Sequence, residues 1–183
     1  EREIFHNEEL AERAKALKEE IQRAIETIGK TFTEEFGMVY AYETDGYGMY
    51  NLMDDANVPS LLAMSYLGYE GEPEVSSNTR RFLLSEANPF YFKGDKAAGI
   101  GSPHTPSNYI WHIAMAIQGL TSETREEKLE ILKNMAATTG GKGVMHEGFC
   151  CEDDSKFTRA WFSWANAMYA ELFLDYMGYQ LEK

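Results

Sequence analysis

The chain has 183 residues and a formal net charge of −13, from 17 Lys and Arg against 30 Asp and Glu. That length holds one domain with a real core, or part of a larger one, and the acidic balance argues against a nucleic-acid partner, whose phosphates need clustered cations. No run of about 18 apolar residues occurs, so no membrane span is expected.

In "NEELAERAKALKEEIQRAIETIG" the residues Leu10, Ala14, Leu17, Ile21, Ile25 and Ile28 recur every three or four positions. This predicts an amphipathic helix capped by Asn7 and closed at Gly29. A second helix is expected from Pro59 to Gly68, because proline suits a first helical turn, and a third from Ser77 to Glu86. The fourth starts after Thr105 with Pro106 and runs through "NYIWHIAMAIQGL". The fifth is "SETREEKLEILKNMAAT" and the sixth "FTRAWFSWANAMYAELFLDYMG".

The helices near 7, 77 and 122 have charged faces. Those near 59, 106 and 158 are poor in charge, begin about 50 residues apart, and each follows a long polar loop, a period that reads as a repeated helical hairpin. The fold class expected is therefore all-α: an α/α toroid to which this chain supplies about three hairpins, with the three loops gathered at one end. Three hairpins do not close a ring. Standing alone, the charge-poor helices would leave Leu61, Leu62, Ile110, Ile113, Ile117, Trp161, Phe162 and Phe173 wet, at about 1.5 to 3 kcal/mol each.

The loops hold the polar chemistry. In "LMDDANVPSLL", Asp54, Asp55 and Asn57 could cap a helix or bind sugar hydroxyls, since Asp and Asn do both. "GIGSPHTPSNYIW" offers Ser102 and His104 after two glycines, while His112 reads as a structural histidine on a helix. "VMHEGF" falls short of a zinc motif, because the second His of a zincin is replaced by Cys150. His146, Cys150 and Cys151 lack a fourth ligand at sensible spacing, so no metal is expected. Glu147 could be a solvated loop charge or a helix cap. It fits a general base better, because it leads into "RAWFSWAN", where Arg159 and Trp164 border an aromatic-walled pocket. Aromatic residues make up 13% of the chain, which suits a ligand with flat apolar faces, although any single ring fits a core equally well. The adjacent Cys150 and Cys151 imply no disulfide framework and lean towards reducing, cytoplasmic surroundings. Since the chain opens on Glu1 rather than Met, a secreted protein with an upstream leader stays open.

Taken together, "YAYETDGYG", "LMDDANVPSLL", "RRFLLSEANPFYFKGDKAAGIGSPHTP", "YIW" and "MHEGF…FTRAWFSWANAMYAELFLD" resemble glycoside hydrolase family 125, the exo-α-1,6-mannosidases, from about Tyr40 to Asp175. The resemblance implies a toroid of six helical hairpins, with residues 1–183 forming the C-terminal half of the catalytic domain. It implies inverting removal of terminal α-1,6-linked mannose from a mannose-containing oligosaccharide or N-glycan, without metal or cofactor. Such chemistry uses two carboxyl groups roughly 6.5 to 9.5 Å apart. The family's general base falls on Glu147. The resemblance makes Asp54 and Asp55 sugar-contacting residues, and Asn57, Ser102, His104, His146, Arg159 and Trp164 complete the candidate substrate-binding set.

Two departures stand out. Gly148 replaces the Ser commonly found after the base, so a hydrogen bond there is lost. The family's general acid is an Asp of an upstream segment outside this sequence, so the fragment is expected to need the N-terminal half and to be inactive alone. Two other readings are another α/α-toroid glycosidase of different linkage preference, since fold does not set substrate, and a non-catalytic glycan-binding fragment.

Overall fold

The computed structural model describes residues 2–179. It is 40% helix and 18% strand, so the fold is mixed α and β, not the all-α toroid expected from the helical periodicity. In chain order come α1 (Arg2–Phe5), α2 (Glu8–Ile28), β1 (Lys30–Thr33), β2 (Gly37–Tyr40), β3 (Glu43–Thr44), β4 (Tyr50–Asn51) and α3 (Pro73–Leu83). They are followed by β5 (Tyr91–Lys93), β6 (Ala98–Ile100), β7 (Tyr109–Trp111), α4 (His112–Leu120), α5 (Arg125–Ala137), β8 (Gly148–Cys150), β9 (Asp153–Thr158) and α6 (Ser163–Tyr176).

The strands occupy the polar loops and take over the expected starts of two helices. The segment that was to open the fourth helix is instead β7, whose aromatic and β-branched residues suit a pleated surface. It pairs antiparallel with β8, placing Trp111 opposite Gly148, and β8 pairs with β9, placing Gly148 opposite Thr158. The expected start of the sixth helix is therefore strand as far as Thr158. Between 59 and 68 there is no regular helix. The backbone closes in a succession of turns, Ala63 to Ser60, Met64 to Leu61 and Leu67 to Ala63, with the Asp54 carboxylate accepting from the Leu61 and Leu62 N–H groups at their start, each at 2.9 Å. The third helix begins at Pro73, four residues earlier than expected, with proline in its first turn.

The core is built around α4, the most apolar helix, whose residues His112 to Ile117 are all buried. It packs on α5 and α6. The expectation that the charge-poor helices would stand wet is corrected for half of the residues named: Leu62, Ile110, Ile113 and Ile117 are buried within the chain itself, Leu61 and Phe162 are half-buried against the core, and Trp161 and Phe173 are exposed. The longest apolar stripe in solvent is instead on α2, where Leu10, Leu17, Ile21 and Ile28 are all exposed. That helix is fastened at its C-terminal end, where Glu26 accepts from the hydroxyls of Tyr40 at 2.9 Å and Tyr69 at 2.6 Å and pairs with Lys30 at 2.8 Å.

Backbone pairing also brings the polar segments into one strip. Ala56 donates to the Gly101 carbonyl at 3.0 Å, Gly101 bridges to Ile110, and the next residue, Trp111, faces Gly148.

Candidate active site

Glu147 is the last residue of the loop before β8. Because Gly148 pairs with Thr158 in antiparallel register, the residue before Gly148 meets the residue after Thr158, which is Arg159. The Arg159 Nε lies 3.2 Å from Glu147 Oε1, an ion pair. Only 14% of the Glu147 side chain is exposed, against 64% for Arg159, so the carboxylate sits in a recess with the guanidinium at its rim. Arg159 has a φ of 44°, a left-handed conformation uncommon for a residue with a side chain. It turns the chain sharply between β9 and α6. The guanidinium carbon lies 5.4 Å above the Phe162 ring, and Phe162 lies 6.3 Å from Trp164. Trp161 and Trp164 are both exposed. From Glu147 the contacts therefore run through Arg159 to Phe162 and on to Trp164.

The loop is shaped from behind. At Gly140, φ is 54°, and an added Cβ would come within 2.8 Å of the Asp154 carbonyl and 2.9 Å of the Phe157 ring, so only glycine fits. Its N–H donates to Asp154 Oδ2 at 3.0 Å. At Gly148 the reason is close approach: an added Cβ would meet the Trp111 indole at 3.0 Å. That ring is fixed by its Nε1–H, which donates to Thr105 Oγ1 at 3.0 Å.

His146, expected against the sugar, has no exposed surface. Its ring stacks on Phe157 with centroids 3.9 Å apart, and its two nitrogens face the carbonyls of Ala160 at 2.8 Å and Thr139 at 2.9 Å. It binds the loop to its surroundings and offers no nitrogen to a metal or a ligand. Its backbone N–H and carbonyl both face His112 Nδ1, at 3.0 and 3.2 Å, and His112 Nε2 faces Thr138 Oγ1 at 3.1 Å. Burial lowers the pKa of His112 to about 4, in keeping with a neutral ring.

The second cluster lies further along the strip. Asp54 is fully buried, with one carboxylate oxygen on Leu61 N and the other on Leu62 N. Burial pushes its pKa up to about 7 against the pull of those two donors. Its role in the fold is to cap the turns that follow. Asp55, nearly buried, accepts from Asn57 N at 3.2 Å and Asn57 Nδ2 at 3.1 Å, so these two form a unit. Tyr42, not singled out from the sequence, stands beside them: burial and then the charges of Asp55 and Asp54 raise its pKa. Ser102 is buried, and its Oγ accepts from His104 N at 3.2 Å, leaving the His104 side chain exposed. The structure thus joins Glu147 directly to Arg159, while Asp54, Asp55, Asn57, Ser102 and His104 reach that pair only through the paired backbone.

A cleft of about 730 Å³ opens elsewhere, between the 61–71 turns, α3 and the connection from α4 to α5, with Tyr69, Arg80 and Glu127 among its walls. None of the residues discussed above as site candidates lines it. It lies at the far end of α4 from Trp111. Among the described residues, no cluster of three or more His, Cys, Asp or Glu could hold a metal ion.

A recessed carboxylate paired with an arginine thus lies close to exposed aromatic rings. The chain belongs to the family described as Metal-independent alpha-mannosidase (GH125), whose model matches residues 2–174. It is 44% identical over 169 residues to the Meiotically up-regulated gene 157 protein of Schizosaccharomyces pombe (strain 972 / ATCC 24843), a match covering 91% of this chain and 33% of that protein. It is also similar to a solved metal-independent alpha mannosidase of Streptococcus pneumoniae in a non-productive complex with alpha-1,6-mannobiose. There the identity is 48% and the TM-score 0.88, over 91% of this chain and 39% of the other. The chain therefore spans between a third and two-fifths of the relatives it matches.

Proposed function

We propose that these residues are the base-bearing part of an exo-acting α-mannosidase that removes terminal α-1,6-linked mannose from mannose-rich glycans with inversion, and that Glu147 is its general base. The observation behind this reading is the Glu147 recess. The carboxylate is held by Arg159 on one side and by the strand register beneath, with one oxygen left to take a proton from water. The likeness to a protein solved with alpha-1,6-mannobiose supports the linkage.

In the inverting reaction, Glu147 draws a proton from a water that attacks the anomeric carbon, while a second carboxyl group protonates the departing oxygen on the opposite face of the sugar. The pair with Arg159 fixes which oxygen faces that water. Asp54 is a poor candidate for the acid, because both its oxygens are occupied and it has no exposed surface. Asp55 is tied to Asn57. The proton donor in this reading is supplied by a part of the enzyme beyond these residues.

The test is Glu147→Gln in the full-length enzyme, assayed on α-1,6-mannobiose. Turnover should fall roughly 10²- to 10⁴-fold with mannose binding largely kept. Near-normal turnover would remove Glu147 from the base role, and a wild-type enzyme that binds the disaccharide without cleaving it would favour a glycan-binding module.

A further inference from the structure

Resting on the reading of Glu147 as base, we infer that Asn166 is a positioning residue for it, acting from α6 through the backbone of Met145. An asparagine inside a helix is locally unfavourable, since its amide competes for backbone groups. Here that competition is put to use. In the first turn of α6, the Asn166 side chain folds back across the helix start. Its Oδ1 accepts from Met145 N at 3.1 Å, and its Nδ2 donates to Met145 O at 3.1 Å and to Phe162 O at 2.7 Å. Phe162 N donates to the same Met145 carbonyl at 3.0 Å.

One amide thus pairs with a backbone residue as a neighbouring strand would, and ties it to the residue that opens α6. Met145 is buried and precedes Glu147 by two residues, on a loop whose glycines at 140, 141 and 143 all have positive φ. Such a loop supplies little stiffness of its own. Arg159, which holds the carboxylate, lies three residues before Phe162, so the same amide bond network fixes both ends of the Glu147–Arg159 pair. The side chain is specific to this geometry: Asp would set a carboxylate against two carbonyls, Leu would leave the buried Met145 N–H without its acceptor while the two carbonyls keep only their backbone donors, Phe162 N and the N–H of residue 166, and Gln is one methylene too long.

The test is a pair of single variants and a double variant of the full-length enzyme. Asn166→Leu should lower kcat on α-1,6-mannobiose by roughly 10²-fold, the loss expected when a reacting group is displaced by about an ångström, with KM changed less than about threefold. In a Glu147→Gln background the same substitution should cost nothing further, because a positioning residue has no effect once the group it positions is gone. Asn166→Gln, which keeps both amide functions, serves if the leucine variant fails to fold, and should lose kcat in the same Glu147-dependent way. Equal losses in both backgrounds, or losses confined to KM or to melting temperature, would overturn the positioning role. If Asn166→Leu keeps its kcat while Glu147→Gln is crippled, only the Asn166 inference falls. If Glu147→Gln turns over normally, the base assignment falls first and takes this inference with it.

Discussion

Arg159 Nε meets Glu147 Oε1 at 3.2 Å from a backbone held at a φ of 44°. The pair is a consequence of strand register: Gly148 faces Thr158, so the residues just beyond each end of the pairing are brought together, and the left-handed turn at Arg159 swings the guanidinium towards the carboxylate.

Because Arg159 is largely solvated, the ion pair should matter little to stability, within about 1 kcal/mol. Its value is orientation. Arg159→Ala should therefore leave the melting curve close to wild type while lowering turnover by about 10-fold or more. Thermal melts beside steady-state kinetics check this, and a variant that melts early but turns over normally would make Arg159 a structural residue.

Gly148 and Trp111 define a second dependency. A Cβ at Gly148 would press on the indole at 3.0 and 3.1 Å, and the indole cannot easily yield because Thr105 holds its Nε1–H. Gly148→Ala should destabilise the protein by about 1 to 3 kcal/mol through overpacking. Thr105→Val alone should cost about 1 kcal/mol for the lost hydrogen bond. The double variant should lose less than the sum, since the freed ring can move aside. Urea unfolding of the three variants measures this, and strict additivity would show that the ring is held by its packing and not by Thr105.

These two relationships mark where the sequence was legible and where it was not. The long periodic helix α2 was plain, down to the Asn7 cap that accepts from Leu10 N at 3.0 Å, because cap and stripe are local signals. Strands of three residues such as β7 and β8 show no period of their own. They exist because Tyr109–Trp111 and Gly148–Cys150 find one another across the chain, which nothing local announces. The Pro59 segment differs too: its proline suits a helix start and Asp54 caps it, yet the chain from 60 to 68 closes in turns, not in a regular helix. Around the site, the polar and aromatic composition of the loops pointed to Glu147, Arg159 and Trp164. The residues that act on the backbone from inside regular elements, Trp111 and Asn166, gave no such signal. His146, one of the expected sugar contacts, turns its ring inward instead, to Phe157.

The final prediction concerns pH and two buried groups of opposite sign. Burial lowers the pKa of His112 from 6.5 to about 4. Between those values the unfolded chain holds the extra proton, so the stability from neutral His112 is fully present above 6.5 and is lost as the pH falls towards 4. A charged ring also carries a proton on Nδ1, which the His146 N–H faces. Burial raises the pKa of Asp54 from 3.8 to about 7. In that window the folded protein holds the extra proton, so its contribution is fully present below 3.8 and is lost as the pH rises towards 7. Each difference is worth on the order of 3 to 4 kcal/mol, and the slopes oppose one another between about pH 4 and 6.5. Wild type should therefore owe little net slope to this pair. Asp54→Asn should expose the His112 slope, with stability rising as the pH rises, whereas His112→Gln should expose the Asp54 slope, falling as the pH rises. Urea unfolding free energies of the full-length protein, taken at half-unit pH steps for wild type and both variants, measure the two slopes directly. Variants whose curves run parallel to wild type would show that neither group changes its proton affinity on folding.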